Sequence, residues 1–471
     1  MTTSQETALG ADEPLVTDAG SSSQRRPPRP SRSVLAQTLG FLTDPLKLLE
    51  EAAEECGDVF SIRVLGMGEW VFLTSPATVK EMFKASYDVL DAGKIHRMLL
   101  GNLLGLDATF TLDGKAHRQR QKLVFPLFNG PQILKYIPTI RQVTEETLAR
   151  WPIGQAFPLV PENHRIALEV LVRAMLASGD PGKAKELLEQ FDHYASEGPR
   201  STIARLPFLQ VDLGRYSPWG KILRLRQETR KAFLAEIRRR RALATDHHDE
   251  SPDALTTLIN SSQDDGTQLS EESLLDEVLT LLFAGHETTG VGLSWIAERV
   301  LAHPDVETRL REEIDAVLGD EPIEQRHLCQ LKYLNAVIHE SHRCRPIAPM
   351  AAVRTAVAPF EVGGYVVPQG AIVAEGLCVM GNRPELYPEP ERFDPDRFLD
   401  SKPQRYEWTP FGGGKRVCAG KGLAHLELTC ATATLFQRTK LRLQNKENRM
   451  VREGQMFSPE RGLEVVLEER L

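Results

Sequence analysis

The sequence lacks a cysteine framework. Its 471 residues carry six cysteines, at 56, 329, 344, 378, 418 and 430, with no CxxC pair and no even ladder. That spacing argues against a disulfide scaffold or a zinc cluster and suits a reducing compartment. Long apolar runs are also missing: the most apolar stretch, VLTLLFAG (278–285), is far short of the roughly 20 residues of a membrane helix. There is no basic excess, since 57 Lys and Arg stand against 65 Asp and Glu for a net charge of −8, which argues against a nucleic-acid binder. No internal repeat is visible. The first residues, ending SSSQRRPPRPSR, have no apolar centre of a signal peptide, and Glu6, Asp12, Glu13 and Asp18 speak against a transit peptide. Residues 1–35 therefore read as a disordered polar tail and 36–471 as one large domain, expected in the cytoplasm.

What is present is mostly helical period. DPLKLLEEAAEECGD reads as an amphipathic helix with Asp44 at its cap and Gly57 after its end. VFSIRVLGMGEWVFL alternates like two strands around a glycine turn. A long helix should begin after Ser270, with acidic residues in its first turn, and run to about Ala302, ahead of Pro304. Its length, about 48 Å, would cross a whole domain. Short strands are expected around FEVGGYVVPQGAIV, then a loop-rich stretch, a last helix and a closing hairpin. The RRRR run at 238–241 reads as a solvated face. The total is a mainly α fold with a minor β subdomain and no alternation that would make a doubly wound sheet.

FGGGKRVCAG (411–420) places one cysteine among small residues just before a helical run. Gly412, Gly413 and Gly414 allow close approach, and a helix N-terminus with Lys415 and Arg416 nearby favours a thiolate at Cys418. A thiolate there is a nucleophile or a metal ligand; a buried structural cysteine is the bland alternative. A phosphate loop fails because Arg416, not Ser or Thr, follows Gly-Lys, and His425 lies too far along the same helix to serve as a base. The stretch resembles the haem-binding signature of the cytochromes P450, with Phe411, Gly414, Arg416, Cys418 and Gly420 in its fixed places. The resemblance implies the cytochrome P450 fold and haem b (iron protoporphyrin IX) ligated by the Cys418 thiolate, with Arg416 on a haem propionate.

Three further segments carry the same resemblance. AGHETTG (284–290) is similar to the family's oxygen-binding motif: Ala284 and Gly285 would leave room beside the helix, and Glu287 and Thr288 would deliver protons. The zinc-protease alternative fails because Gly290 stands where HExxH needs histidine. Glu340 and Arg343 in ESHR, completed by Arg397 of FDPDRF, would form a buried structural triad. Arg354 and His117 match propionate-binding positions, although Gln121 stands where the family has an arginine, with Arg120 or Lys122 as substitutes.

The resemblance implies a soluble, monomeric monooxygenase that inserts one oxygen atom from dioxygen into an apolar substrate, a fatty acid, terpenoid, steroid or polyketide-like molecule. Electrons would come from a ferredoxin or flavodoxin with its reductase, docking near Lys415, Arg416, Lys421, Arg120 and Lys122. By the same resemblance the pocket is expected around Arg97, Leu103, Phe283, Met350, Val353 and Phe457, with Lys94, His96 and Arg97 able to hold a carboxylate. A peroxide-driven or non-oxygenating haem-thiolate enzyme is the alternative, and a haem-binding sensor the alternative of another class.

Overall fold

A computed structural model describes residues 25–176, 181–197, 210–243, 253–399 and 404–471. Its axis is the helix Glu271–Leu301, which starts as its cap dictates: the Ser270 hydroxyl accepts the Ser273 N–H at 3.0 Å, and Glu271 and Glu272 sit at the positive end of the helix dipole. It is buried along most of its length. Glycines let neighbours close on it. A β-carbon at Gly285 would meet Leu171 at 2.6 Å and one at Gly290 the His164 backbone at 2.8 Å, both on the helix Leu159–Leu176. Gly290→Ala should therefore cost about 1–3 kcal/mol through overpacking, measurable by urea denaturation; an unchanged midpoint would contradict this packing.

The β part is small. A five-stranded sheet runs Val59–Val64, Gly68–Leu73, Ile372–Glu375, Ala351–Ala356, Leu90–Asp91, antiparallel except for the pair formed by the second and third strands. A three-stranded sheet joins Ala156–Pro158, Glu464–Arg470 and Thr439–Leu443. The Phe360–Val362 and Tyr365–Val367 hairpin turns at Gly363 and Gly364, both at positive φ, and a second hairpin pairs Met450–Glu453 with Met456–Pro459. One large apolar core gathers around the central helix, and a second packs Phe41, Leu48 and Phe60 against the sheet. Among the described residues no helix is long and apolar enough to cross a membrane.

Two expectations need correction. The expected tail reaches residue 35, yet from Arg25 the chain lies along strand edges: Pro28 accepts the Ser61 N–H at 2.8 Å, Arg25 that of Val366 in the separate hairpin at 2.9 Å, and Arg29 pairs with Glu69 at 2.7 Å. Prolines pre-set an extended backbone that accepts from strand N–H groups without needing donors of its own. Residues 1–24 lie outside the described residues. The RRRR run is a solvated face only in part: Arg238 and Arg239 are exposed, whereas Arg240 is not. Arg240 is buried, reaching Glu236 at 2.7 Å, Asp253 at 2.6 Å and the Leu176 carbonyl at 3.2 Å, while Arg238 pairs with Glu271 at 2.8 Å. Sequence proximity to other arginines did not reveal that acidic partners wait on separate helices.

Candidate haem-binding site

The loop before the helix Lys421–Arg438 is built by its glycines. Gly412 and Gly414 adopt positive φ. A β-carbon at Gly413 would meet the Phe83 ring at 2.4 Å, and one at Gly414 the Phe83 carbonyl at 2.4 Å, so only glycine lets the loop lie on that residue. The Cys418 N–H closes it by donating to the Phe411 carbonyl at 3.0 Å. Phe411 in turn lies 5.9 Å from the ring of His342, which is buried on the helix Lys332–Cys344. Cys418 sits just ahead of the Lys421–Arg438 helix, with Gly420 as the cap residue.

Electrostatics at the sulfur differ from the sequence expectation. Burial pushes the Cys418 thiol up; the N–H groups of Gly420 and Lys421 and the Lys421 charge pull it down by less, and Lys415 and Arg416 are not what acts on it. Left to its surroundings the thiol is a poor nucleophile, whereas a coordinated cation would deprotonate it outright. The residue is nevertheless solvent-accessible. Ala284 is likewise exposed halfway along the central helix, between the buried Phe283 and His286 further on.

Beside this loop lies a concentration of buried cations. Arg354 comes from a strand that bulges between Ala351 and Arg354, with Ala352 at φ 53°. Its guanidinium is buried, donates to the Val353 carbonyl at 2.9 Å, and is pushed down to about 9 by burial and then by the charge of Arg416. Arg416 donates to the Thr109 carbonyl at 3.1 Å and also to the Leu112 carbonyl and Asp113; among the described residues its Nε has no partner. His117 is buried against the Tyr87 hydroxyl at 3.0 Å. Burial first, then Arg416, Arg354 and Arg118, hold its imidazole down to about 3. Against these cations stands one carboxylate pair, Asp113 and Asp91, in which burial pushes Asp113 up to about 6.

Such a set demands an anion. Cations that depress one another in a buried cluster would be relieved by a bound dicarboxylate. Among the described residues no group of three or more His, Cys, Asp or Glu could hold a metal ion alone. A metal at Cys418 thus needs most of its ligands from elsewhere, as a porphyrin provides. The residues present fit haem: one sulfur, a glycine loop lying flat, and guanidinium groups for two propionates.

The other expected residues are placed as follows. The Thr288 hydroxyl donates to the Ala284 carbonyl at 2.7 Å, a bond to the preceding turn that loosens a helix locally. Glu287 is buried beside it, and His286 binds the Leu282 carbonyl at 2.9 Å. Glu340 holds Arg343 through two bonds of 2.7 Å, with Arg397 at 3.4 Å, and accepts the Asp394 N–H at 2.9 Å. Leu103 and Phe283 belong to the main core; Met350, Val353 and Phe457 belong to the second apolar cluster with Ile95 and Leu99. The helix Gly93–Leu104 carries Ile95, Leu99 and Leu103 and so lies at the seam between the two.

Several cations stand elsewhere than expected. Arg97 donates to the Thr111 carbonyl and lies 3.7 Å from Asp113, within the Arg416 cluster rather than as a free carboxylate anchor. His96 stacks on Phe110 at 3.8 Å and is held neutral, its imidazole pushed down to about 3 by burial. Arg120 turns away to Glu277 at 3.1 Å and the Asp107 carbonyl at 2.8 Å, and Lys122 pairs with Asp264 at 2.8 Å, so neither replaces the arginine missing at Gln121. Arg118, whose guanidinium lies 5.7 Å from the Tyr87 ring centre, does reach the cluster. Sequence reasoning missed Arg118, Tyr87 and Asp113. Only Asp113-Gly114 carried a signal, as a helix cap, and its carboxylate caps Ala92 and Gly93 of another segment instead, at 3.1 and 2.9 Å.

Comparison with known proteins agrees with this geometry. The family model for cytochrome P450 matches residues 27–466. Putative cytochrome P450 138 of Mycobacterium tuberculosis is 32% identical over 447 residues, covering 95% of this chain and 97% of that protein. Putative cytochrome P450 135B1 of Mycobacterium tuberculosis is 32% identical over 426 residues, covering 90% and 87%. Among solved structures, retinoic acid-bound cyanobacterial CYP120A1 superposes with a TM-score of 0.82 at 26% identity, covering 95% of this chain and all of that one. The P450DA haem domain superposes equally well at 20% identity, a likeness of fold. With a signature cysteine, a buried cation cradle and this likeness over nearly its whole length, the chain belongs to the cytochrome P450 family of haem-thiolate monooxygenases.

Proposed function

We propose that Cys418 ligates the haem iron and that Arg354, Arg416 and His117 hold the propionates, Arg118 and Arg97 adding charge. The observation that carries this reading is the buried cation cluster beside the cysteine loop. Bound haem would activate dioxygen for insertion of one oxygen atom into the substrate. The chain's own part is to position and to supply protons. Thr288, whose hydroxyl donates to the Ala284 carbonyl, and the neighbouring Glu287 pass protons toward the haem site. Glu340, Arg343 and Arg397 hold the loop's support and do no chemistry.

The substrate we infer is a long apolar chain or isoprenoid, bound at the seam lined by Leu99, Leu103, Phe283, Met350, Val353 and Phe457. The retinoic acid carried by CYP120A1 supports that size and character. Because Arg97 is taken up by Asp113 and Thr111, affinity is set by apolar contact rather than by a carboxylate anchor. Electrons reach the haem from a separate acidic redox protein, a ferredoxin or flavodoxin. Its docking patch is the exposed set Lys115, Arg118, Lys415 and Lys421, without the buried Arg120 and the engaged Arg416. The enzyme works as a cytoplasmic monomer.

A haem spin-state titration tests the substrate class. Retinoid-sized and long-chain acids and their methyl esters should both shift the haem to high spin, with Kd values within about tenfold, or 1.4 kcal/mol. Shifts by free acids alone would restore a carboxylate anchor and overturn this reading.

A further inference from the structure

Glu375 ends the strand Ile372–Glu375, in register with Leu73 on one side and Ala351 on the other, and it is fully buried. Oε1 accepts the Thr409 hydroxyl, and among the described residues Oε2 has no hydrogen-bond partner and no ion pair reaches the carboxylate. A carboxylate in such a place is costly and unexplained by the fold. Its position is informative. Thr409 begins the approach to the cysteine loop, two residues before the Phe411 whose carbonyl receives the Cys418 N–H. From the adjacent antiparallel strand, the cation whose charge reaches Glu375 is Arg354.

We propose that Glu375 is a proton-linked partner of Arg354. Protonated, it leaves the arginine's charge to the haem propionates; ionised, it takes a share of that charge and lowers the reduction potential of the haem iron. The inference rests on the reading that Arg354 faces the propionates.

Burial pushes the Glu375 carboxyl up to about 8, against smaller downward pulls from Thr409 and Arg354. It therefore ionises in the neutral to mildly alkaline range, its proton leaving to solvent. The added negative charge favours ferric over ferrous iron, so the potential falls as pH rises. Arg354 comes from the neighbouring strand, where it opposes Val373, Thr409 reaches Glu375 from the loop, and Arg416, Asp113, Tyr87, His117 and His96 surround Arg354. Asp113 titrates nearer 6, so its contribution is separable and persists when Glu375 is replaced. The same proton is linked to folding. The carboxyl holds its proton more tightly in the folded chain than at its ordinary value of 4.5, so stability declines as pH rises from there through about 8.

The test is the midpoint potential of the haem-loaded protein across that range, with the pH dependence of its denaturation midpoint as a second readout. The wild type should show a downward step in potential centred near pH 8 and a stability that declines from about pH 4.5 and levels off above about 8; Glu375→Gln should lose both. Thr409→Val removes a bond that favours the ionised form and should move the step to higher pH. A step unchanged in Glu375→Gln, or absent from the wild type, overturns the proposal. Should Glu375→Gln fail to hold haem, an unmoved step in Thr409→Val overturns it equally. A normal thiolate-type spectrum without the step sinks this inference alone, whereas the lack of such a spectrum sinks the reading of the site beneath it.

Discussion

Cys418→Ser is expected to abolish product formation while leaving the fold intact. The loss should exceed about a thousandfold, or roughly 4 kcal/mol of transition-state stabilisation. The loop's shape does not depend on the sulfur. It is fixed by Gly413 and Gly414 against Phe83 and by the Cys418 N–H on the Phe411 carbonyl. Asn129 ties the far side, donating to the Ala419 carbonyl at 2.7 Å and accepting the Gly422 N–H at 3.2 Å. A serine oxygen fits that frame but gives iron a harder, less electron-donating ligand. The expected result is a melting temperature near that of the wild type, with loss of the thiolate-type absorption of the reduced, carbon monoxide-bound protein. Retained absorption and turnover would refute the assignment.

Arg343→Leu should have the largest effect on stability, about 3–5 kcal/mol, against the roughly 5–15 kcal/mol that a domain has in total. Both Arg343 and Glu340 side chains are fully buried. Arg343 grips both oxygens of Glu340 and also donates to the carbonyls of Gly381 at 2.7 Å and Arg392 at 3.2 Å. Leucine would leave that carboxylate with Arg397 at 3.4 Å and the Asp394 N–H, and two carbonyls without their donor. The segment 381–394 that these bonds pin leads into the chain that becomes the cysteine loop, so haem retention should fail with the fold. Arg343→Lys keeps the charge but not the fork, and should fall between. Urea denaturation decides it; a change below about 1 kcal/mol would mean that the pair is merely a surface-type salt bridge.

The residues that were legible from sequence are those whose geometry is local. The glycines around Cys418, the Ser270 cap and the Glu340–Arg343 spacing each dictate their own conformation within a few residues. What could not be read is which partner a charge chooses. Arg97, Arg120 and Arg240 looked like loop or surface cations. Their acceptors, Asp113, Glu277 and Asp253, are supplied by other segments through tertiary contact. Arg354 was named from its motif, but its burial depends on a bulge at Ala352, where nothing in the residue type demands a positive φ. The thiol was misjudged for the same reason: a helix N-terminus favours the thiolate, yet burial outweighs it, and burial is a property of the whole fold.

The most direct test of the central claim is the absorption spectrum of the purified wild-type protein, reduced and exposed to carbon monoxide after haem loading. The account predicts a single bound haem with the strongly red-shifted Soret band of thiolate ligation. A band of the imidazole-ligated type, or a chain that takes up no haem, would contradict it.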